Sequence, residues 1–250
     1  MSTAPYGLIC PITHACEILE PRWTIPIITE LWNGSTKFNE IKRGVGHISP
    51  ALLSKRLKEM EENGLVEREI DAATGQVHYF RTARAVALEP ALNALGAWAQ
   101  CNIEARAALD ALDVSTMMWQ LRAAIDTNEL PNRQVVIQFH FADPGLEFDT
   151  YWALIRPKKP VEMCSSIPDF DIDLYIETDR VSFASLLLSR TTIEREESSG
   201  RLFLSGDAAI RKTIGKWLYH RTKERREDIK QLEDLLAEGP SQPEHAASFS

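Results

Sequence analysis

Residues 38–81 read FNEIKRGVGHISPALLSKRLKEMEENGLVEREIDAATGQVHYFR, and this stretch decides the fold. Its start predicts a short helix, because Phe38 and Ile41 are three apart and would lie on one helix face. A second helix begins at Ser49–Pro50, since serine caps free backbone amides and proline suits the first helical position. Asn63–Gly64 ends it, because glycine readily adopts the left-handed conformation found just after helices.

Gly44 and Gly46 free the backbone for the turn between these helices, and a β-hairpin follows the second one. Residues 66–70 alternate apolar and charged side chains, residues 74–75 supply a turn, and residues 77–81 return. Helix, turn, helix and hairpin in this order predict a winged helix-turn-helix, a shape that fits the major groove of double-stranded DNA. The candidate wing contacts are Arg68, Gln76, His78 and Arg81.

The charge distribution supports this prediction. The whole chain has a formal net charge of −8, which by itself argues against a nucleic-acid binder. Residues 37–58, however, hold six basic side chains and a single acid, Glu40. Positive potential is therefore concentrated where the DNA-reading helix is expected. The six basic residues are Lys37, Lys42, Arg43, Lys55, Arg56 and Lys58.

The second helix has two different faces. At about 100° per residue, its apolar side chains fall on one arc, and small and cationic side chains fall on the opposite arc. Such a stripe suits a groove about 12 Å wide, where serine and lysine reach base edges or phosphates. Arg56 lies nearer the apolar arc, so a phosphate or structural role is expected. A merely solvated face is the competing interpretation, and the hairpin argues against it. The apolar arc is Leu52, Leu53, Leu57 and Met60; the opposite arc is Ala51, Ser54, Lys55 and Lys58, and Ser49 is both a cap and a candidate contact.

Spaced residues over about 8–103 carry a family resemblance. They are Cys10-Pro11, Arg22-Trp23-Thr24, Phe38, Ile41, Ile48-Ser49, Leu52, Arg56-Leu57, Glu61, Gly64-Leu65-Val66 and Arg68. This segment resembles the HxlR-type transcriptional regulators, which implies a dimeric winged-helix DNA binder of bacterial type. It departs after the hairpin, where the family pattern Tyr-x-Leu-Thr-x-x-Gly is matched by residues 79–85, YFRTARA, and alanine replaces glycine.

A further apolar stripe lies on a helix expected to run through about Cys101. It must be buried, either within its own domain or against another chain. The resemblance favours a homodimer, which would hold two recognition helices one DNA turn apart and prefer an inverted-repeat operator. The stripe is Leu88, Ala91, Leu92, Leu95, Trp98 and Ala99.

The four cysteines have irregular spacing, which predicts free thiols in a reducing cytosol. Cys10, His14 and Cys16 are too few and too irregularly spaced to predict a metal site. Some members of the resembled family sense oxidants or electrophiles through the cysteine of the Cys-Pro pair, here Cys10. A sensor thiol needs exposure and a lowered pKa, neither of which the sequence shows, so a buried structural cysteine is the favoured interpretation.

The length of 250 residues favours two domains. The expected division is a winged-helix and dimerisation domain at 1–112, a second domain at 113–222, and a charged helix with a disordered tail at 223–250. No apolar run approaches the roughly 20 residues that span a bilayer. The N-terminus lacks a basic start followed by an apolar stretch, so a cytoplasmic protein without membrane attachment is expected.

The second half predicts an α+β domain with a mostly antiparallel sheet, because residues 135–141 and 170–177 alternate apolar and polar side chains. Residues 151–156 and 161–165 are a predicted strand pair. Helices are expected at 115–124, at 179–189 with Asp179 as a cap, and from Gly206–Asp207 to about His220.

This half resembles the sterol-carrier-protein-like lipid-binding domain over about residues 115–220. Asp143-Pro144-Gly145, the alternating strands and residues 200–207, GRLFLSGD, carry the resemblance. It implies an apolar tunnel between sheet and helices, and hence an apolar small-molecule effector. Ordinary core is the competing interpretation for each residue. The candidate lining residues are Phe139, Phe141, Leu174, Ile176, Phe183, Leu186, Leu187, Leu202, Leu204 and Trp217.

No catalytic constellation stands out, because there is no Gly-rich phosphate loop and no His-Glu-x-x-His. Asp169, Asp171 and Asp173 have the spacing of a strand's solvent-facing side. Neither enzyme activity nor a cofactor is therefore predicted. The predicted function is a sequence-specific, dimeric transcriptional regulator, controlled by an apolar ligand in its second domain. The alternatives are a redox-sensing regulator acting through Cys10, and a lipid-binding protein whose winged helix is structural.

Overall fold

The computed structural model describes residues 6–102, 109, 112–218 and 230–237. The chain divides into two compact units, Met1–Ala94 and Leu95–Ser250. The units divide after residue 94, earlier in the chain than the domain boundary expected after residue 112. The expected boundary stays a prediction. The predicted tail at 239–250 lies outside the described residues. Within the described ranges, no helix is long and apolar enough to cross a membrane.

The first unit has the predicted order of helix, turn, helix and hairpin, so the winged helix-turn-helix prediction is confirmed. The hairpin is antiparallel, with Val66 opposite Arg81 and Ile70 opposite Val77. The elements are α1 Pro11–Leu19, α2 Thr24–Trp32, α3 Phe38–Val45, α4 Pro50–Glu62, β1 Val66–Ile70, β2 Val77–Arg81, α5 Ala83–Val86 and α6 Glu89–Asn102, which begins in this unit.

A buried carboxylate, Glu30, lies where α2 packs against α3. Glu30 is 1% exposed; the Ser35 hydroxyl donates to its Oε1, and Asn33 Nδ2 donates to its Oε2 at 3.2 Å. These bonds tie the turn after α2 to the helix itself. A Cβ at position 44 would collide with the Glu30 carboxylate, so Gly44 is needed for close approach of α3 as well as for the turn.

After the hairpin, Ala85 occupies the position where the resembled family has glycine, and the structure accommodates its side chain. Thr82 begins α5: its Oγ1 accepts from Ala85 N at 3.2 Å and donates to Gly64 O at 2.7 Å. Ala85 is fully buried in the first unit's core. Its methyl group therefore fills a core position, and the chain continues directly into α6.

The second unit is an α+β fold around one five-stranded sheet, as predicted. The strand order is β5-β4-β3-β6-β7, with β3 and β6 parallel and the other neighbours antiparallel. The strands are β3 Val135–Phe141, β4 Thr150–Ile155, β5 Glu162–Cys164, β6 Leu174–Thr178 and β7 Leu202–Gly206; the helices are α7 Val114–Leu121, α8 Arg180–Leu187, α9 Ile193–Ser198, α10 Ala208–Lys212, α11 Ile214–Trp217 and α12 Leu232–Ala237, with a 3₁₀ turn at Thr127–Glu129.

The strand predicted at 170–177 is wrong in its first half, because β6 begins at Leu174. Phe170 and Ile172 are 46% and 45% exposed, although their alternation predicted a buried face. Asp173 occupies the point where the ladder begins: its Oδ2 accepts from Val136 N at 2.8 Å, and its Oδ1 accepts from Arg133 Nη1 at 2.7 Å. Asp173 is therefore half-buried and structural, and its expected solvent-facing role is also wrong.

The predicted Asp179 cap is confirmed, and the structure adds a second cap at Asp207. Asp179 accepts from Ser182 N at 2.8 Å, and Asp207 accepts from Ala209 N at 2.8 Å. The single helix predicted after Asp207 is instead divided into α10 and α11. Thr213 separates them, and its hydroxyl donates to Ala209 O at 3.2 Å, a bond that competes with regular helix geometry. Residues 219–220 of that prediction lie outside the described residues.

Candidate nucleic-acid interface

Helix α4 is held in place by its two ends and by one apolar face. Ser49 Oγ accepts from Leu52 N at 3.3 Å, and Pro50 occupies the first turn, as predicted. Gly64 has a φ of 66°, the left-handed conformation that stops the helix. The core-facing residues Leu53, Leu57 and Met60 are at most 1% exposed.

The opposite face of α4 is exposed along its length at Ala51, Ser54, Lys55 and Lys58. The lysine side chains are 58% and 77% exposed and lie 3.8 Å from Glu59 and Glu62 one turn later. Exposed pairs of this kind contribute little free energy, about 0.3–0.5 kcal/mol. Both ammonium groups can therefore exchange their glutamates for phosphate or base edges at small cost.

Arg56 differs from the two lysines. Its side chain is 13% exposed and pairs with Glu59 on the same helix. Within the part of the chain that the structure describes, its Nε has no hydrogen-bond partner. This geometry favours the structural role among those predicted for Arg56, because partial burial and the Glu59 carboxylate hold its guanidinium against its own helix.

The basic residues of the supporting helix differ in exposure. Lys37 and Lys42 are half-buried, and Arg43 is exposed. Lys37 precedes the first turn of α3, where its backbone N donates to Glu40 Oε2 at 3.2 Å. Glu40, the single acid of this basic region, thus satisfies backbone donors at the start of the helix.

Two of the predicted wing residues are exposed, and the other two contact residues outside the wing. Arg68 and Gln76 are exposed. His78 Nδ1 lies 2.9 Å from Thr36 Oγ1, and the Arg81 guanidinium lies over the Trp32 ring at 5.7 Å. The sequence does not predict these two anchors, because Thr36 and Trp32 are more than forty residues from the wing residues that they contact.

Asp71 closes the tip of the wing. Its Oδ1 accepts from Thr74 N at 2.9 Å and from Ala73 N at 2.8 Å. These backbone donors lower the pKa of the Asp71 carboxyl, so it stays negative at the tip. The wing therefore presents Arg68 and Gln76 beside a fixed negative charge, which weakens its attraction for phosphate.

Two further surfaces of the chain are apolar. On α6, Leu95 and Trp98 are 50% and 56% exposed, and none of the described residues of that helix is buried. Before and within α1, Ile9 and Ile12 are exposed as well. The apolar stripe predicted on α6 is thus largely exposed to solvent in the single chain.

Cys10 is exposed at the N-terminus of α1, so the expectation that it is buried was wrong. Hydrogen bonds from the backbone amides of Thr13 and Ile12 lower the pKa of its thiol. By contrast, burial raises the pKa of Cys164. Among the described residues, no group of His, Cys, Asp or Glu side chains is arranged to hold a metal ion.

The ten predicted tunnel residues lie together, in one hydrophobic cluster of the second unit. Nine of them are buried, and Leu187 packs against the others. Phe183 makes edge contacts with Phe139 and Phe141, with ring centroids 5.7 and 5.6 Å apart. The cluster has the composition of both a packed core and a lined tunnel, so the ligand role of these residues stays a prediction.

The comparisons with known proteins concern the first unit. The HxlR-like helix-turn-helix family matches residues 18–107. YodB of Bacillus subtilis (strain 168), an HTH-type transcriptional regulator, is 37% identical over 93 residues, which make up 36% of this chain and 83% of YodB. YvaP of the same organism, also an HTH-type regulator, is 38% identical over 93 residues, or 36% of this chain and 86% of YvaP.

This chain belongs to the HxlR-like helix-turn-helix family. The solved structure of reduced YodB from B. subtilis shares 34% identity and covers 39% of this chain and 97% of that chain, with a TM-score of 0.36. The HxlR-like match contains α4 and the wing. The resemblance of the second unit to a sterol-carrier-like domain stays a prediction.

Proposed function

We propose that this protein is a sequence-specific DNA-binding transcriptional regulator that inserts α4 into the major groove. The observation that carries the proposal is the exposed face Ala51, Ser54, Lys55 and Lys58, opposite the buried face of a capped helix in a winged helix-turn-helix. Small residues allow close approach, and the serine and lysines supply donors to base edges and phosphates. Membership of the HxlR-like family supports the same function.

The wing adds contacts on the phosphate backbone. Arg68 and Gln76 are the proposed wing contacts, because both are exposed. His78 and Arg81 act at the base of the wing, where Thr36 and Trp32 hold them. The proposed order of importance is therefore α4 first, then the exposed wing residues.

The proposed working form is a homodimer. Leu95 and Trp98 expose a large apolar area on α6, and burial of such a surface against a second copy stabilises an oligomer. A two-fold dimer presents two α4 helices, so an inverted-repeat operator fits it. We also propose that a ligand in the second unit changes operator affinity, which requires that the ligand bind the two states with different affinity.

Fluorescence anisotropy of the full chain on the DNA flanking its own gene tests this function. The comparison is with a scrambled DNA at two salt concentrations. A regulator that reads sequence binds the first DNA more tightly, and its affinity falls steeply with salt because phosphate contacts release counterions. Equal, weak binding to both DNAs, over the whole flanking region, would contradict the proposal.

A thiol-responsive regulator is a second candidate, favoured by the exposure and lowered pKa of Cys10. The Cys10 thiolate would add to a ring carbon of an electrophile such as a quinone: a sulfur–carbon bond forms, the ring C=C π bond breaks, and the resulting enolate takes a proton from water to give a hydroquinone thioether. The test is operator binding before and after treatment with the electrophile, in the natural protein and in Cys10→Ser. A variant that still responds would exclude Cys10 as the sensor.

A further inference from the structure

One face of the second unit's sheet contributes no side chains to the large hydrophobic cluster. Along β3, Val135, Ile137, Phe139 and Phe141 belong to the large hydrophobic cluster. Because side chains alternate across a strand, Gln138 and His140 lie on the opposite face, here called the outer face. The side chains of the outer face are therefore not among the predicted lining residues of the tunnel.

One half of the outer face is closed. Val136, Trp152 and Leu154 form a separate buried cluster, and Cys164 packs against it. These residues come from β3, β4 and β5. They fill this end of the outer face with apolar side chains. None of them comes from β6 or β7, at the other end.

The other half carries three aromatic rings in a row. The His140 and Tyr175 rings are 6.5 Å apart and nearly parallel, at 21°. The Phe203 ring follows 6.3 Å beyond Tyr175, inclined to it at 65°. His140 and Tyr175 are half-buried, whereas Phe203 on the edge strand is 57% exposed. An aromatic side chain this open on a strand has most of its ring surface available for contact.

A carboxylate lies beside this row. Glu177 is directly opposite Phe203 in the β6–β7 ladder, so their Cβ atoms are neighbours on one face. Its Oε2 accepts from the Tyr175 hydroxyl at 2.5 Å. Burial and this bond raise the pKa of Tyr175 to about 12, so the phenol stays neutral and the negative charge remains on Glu177.

Among the described residues, no arginine or lysine forms an ion pair with Glu177. Two other carboxylates of the second unit have such partners: Asp173 pairs with Arg133 at 2.7 Å, and Glu162 pairs with Arg156 at 2.6 Å. Across residues 112–218 and 230–237, no ion pair involves Glu177. A negative charge thus lies next to an exposed aromatic ring, a combination that attracts cations both by charge and by the ring quadrupole.

We propose that the outer face binds a planar organic cation, whose ring system lies against Phe203 and Tyr175 and whose positive charge lies near Glu177. This site is separate from the predicted apolar tunnel, which is on the inner face and would take a neutral ligand. Binding itself does not depend on the proposed regulatory function. Only the consequence of binding, a change in operator affinity, rests on it.

Two dyes with the same xanthene ring test the proposal: cationic rhodamine 6G and anionic fluorescein. Each is titrated with the full-length protein, without DNA, and its fluorescence anisotropy is measured. Rhodamine 6G is expected to bind, and fluorescein to bind at least roughly tenfold more weakly, because the Glu177 charge repels it. Equal binding of both dyes, or no binding of rhodamine 6G up to about 1 mM protein, would overturn the proposal.

Two variants locate the site. Phe203→Leu removes the exposed ring, and Glu177→Gln removes the charge while its amide oxygen can still accept from Tyr175. Each is expected to weaken rhodamine 6G binding roughly fivefold to tenfold. Phe80→Leu on the wing and Glu129→Gln in the 3₁₀ turn are matched controls that should leave binding unchanged.

Unchanged affinity in Phe203→Leu and Glu177→Gln would place the dye elsewhere and refute this site. An increase in molecular mass that depends on Phe203 and prevents dye binding would identify a second copy as the occupant, and would also refute it. Operator binding, measured separately by DNA anisotropy, distinguishes failure of this site from failure of the DNA-binding function.

Discussion

Helix α4 and strand β3 are both two-faced, but their outward faces differ. The outward face of α4 is exposed and carries small, polar and cationic residues from Ala51 to Lys58, followed by the acidic Glu61 and Glu62. The outward face of β3 is divided between a buried apolar end and an aromatic end. Apart from Arg56, the predicted contact residues of α4 are therefore on the surface, whereas the predicted tunnel residues of the second unit lie in its core. A periodic pattern shows which side is buried, but it does not show whether the buried side encloses a cavity.

The largest expected effect is on the core of the second unit. Phe139→Ala removes a fully buried ring, so the free energy of unfolding should fall by about 3–5 kcal/mol. Phe203→Ala is the matched control on the outer face and should change it by less than about 0.5 kcal/mol. Denaturant unfolding, followed by the signal of the second unit, measures both. A loss below about 1 kcal/mol for Phe139→Ala would indicate that this ring lines a space and would favour the tunnel.

A second expected effect concerns the approach of α3 to α2. Gly44→Ala places a methyl group against the Glu30 carboxylate and should destabilise the first unit by about 1–3 kcal/mol. Gly96→Ala, where nothing lies within 4 Å, is the control and should be neutral or slightly stabilising. Hydrogen exchange of amides in α2 and α3 measures the change locally. Unchanged exchange in Gly44→Ala would show that Glu30 moves away without cost.

A third prediction separates the lysines of α4 from other surface lysines. Lys55→Ala and Lys58→Ala should each weaken operator binding, by about 1–3 kcal/mol if the lysine reads a base. Lys212→Ala, exposed in the second unit, should have no effect. DNA anisotropy at one fixed salt concentration provides the measurement. If both α4 variants bind like the natural protein, α4 is not the recognition helix.

The smallest expected effect is chemical and compares two cysteines. Because the pKa of Cys10 is lowered and that of Cys164 is raised, Cys10 forms its thiolate at lower pH. Alkylation by iodoacetamide should therefore modify Cys10 first, with a rate that rises at lower pH than the rate for Cys164. Mass spectrometry of peptides from a pH series measures the two rates. Equal pH profiles would show that the helix N-terminus does not activate Cys10.

The first unit was largely predictable because its signals are local. Ser49 and Gly64 mark the ends of α4 through backbone chemistry confined to neighbouring residues. The alternation on either side of Thr74–Gly75 likewise predicts the hairpin. The contacts of His78 with Thr36 and of Arg81 with Trp32 were not predictable, since they join residues far apart in the sequence.

In the second unit, periodicity predicted strands but not where their ladders begin. Phe170 and Ile172 continue the alternation of β6, yet Asp173 satisfies the Val136 amide at the end of the ladder, and both apolar residues remain outside it. The neighbours of Glu177 could not be predicted either, because the alternation of a strand does not show its pairing. Its position beside Phe203 depends on which strands pair and in which register.

By itself, the sequence determined the winged helix-turn-helix, its two-faced helix α4 and the HxlR-like family, because caps, turns and periodicity act over a few neighbouring residues. Tertiary structure alone decided that Cys10 is exposed, that Gly44 must admit the Glu30 carboxylate, and that an aromatic row meets the Glu177 carboxylate on the outer face. Each of these depends on groups from separate elements, and their distances are set only when the strands and helices pack.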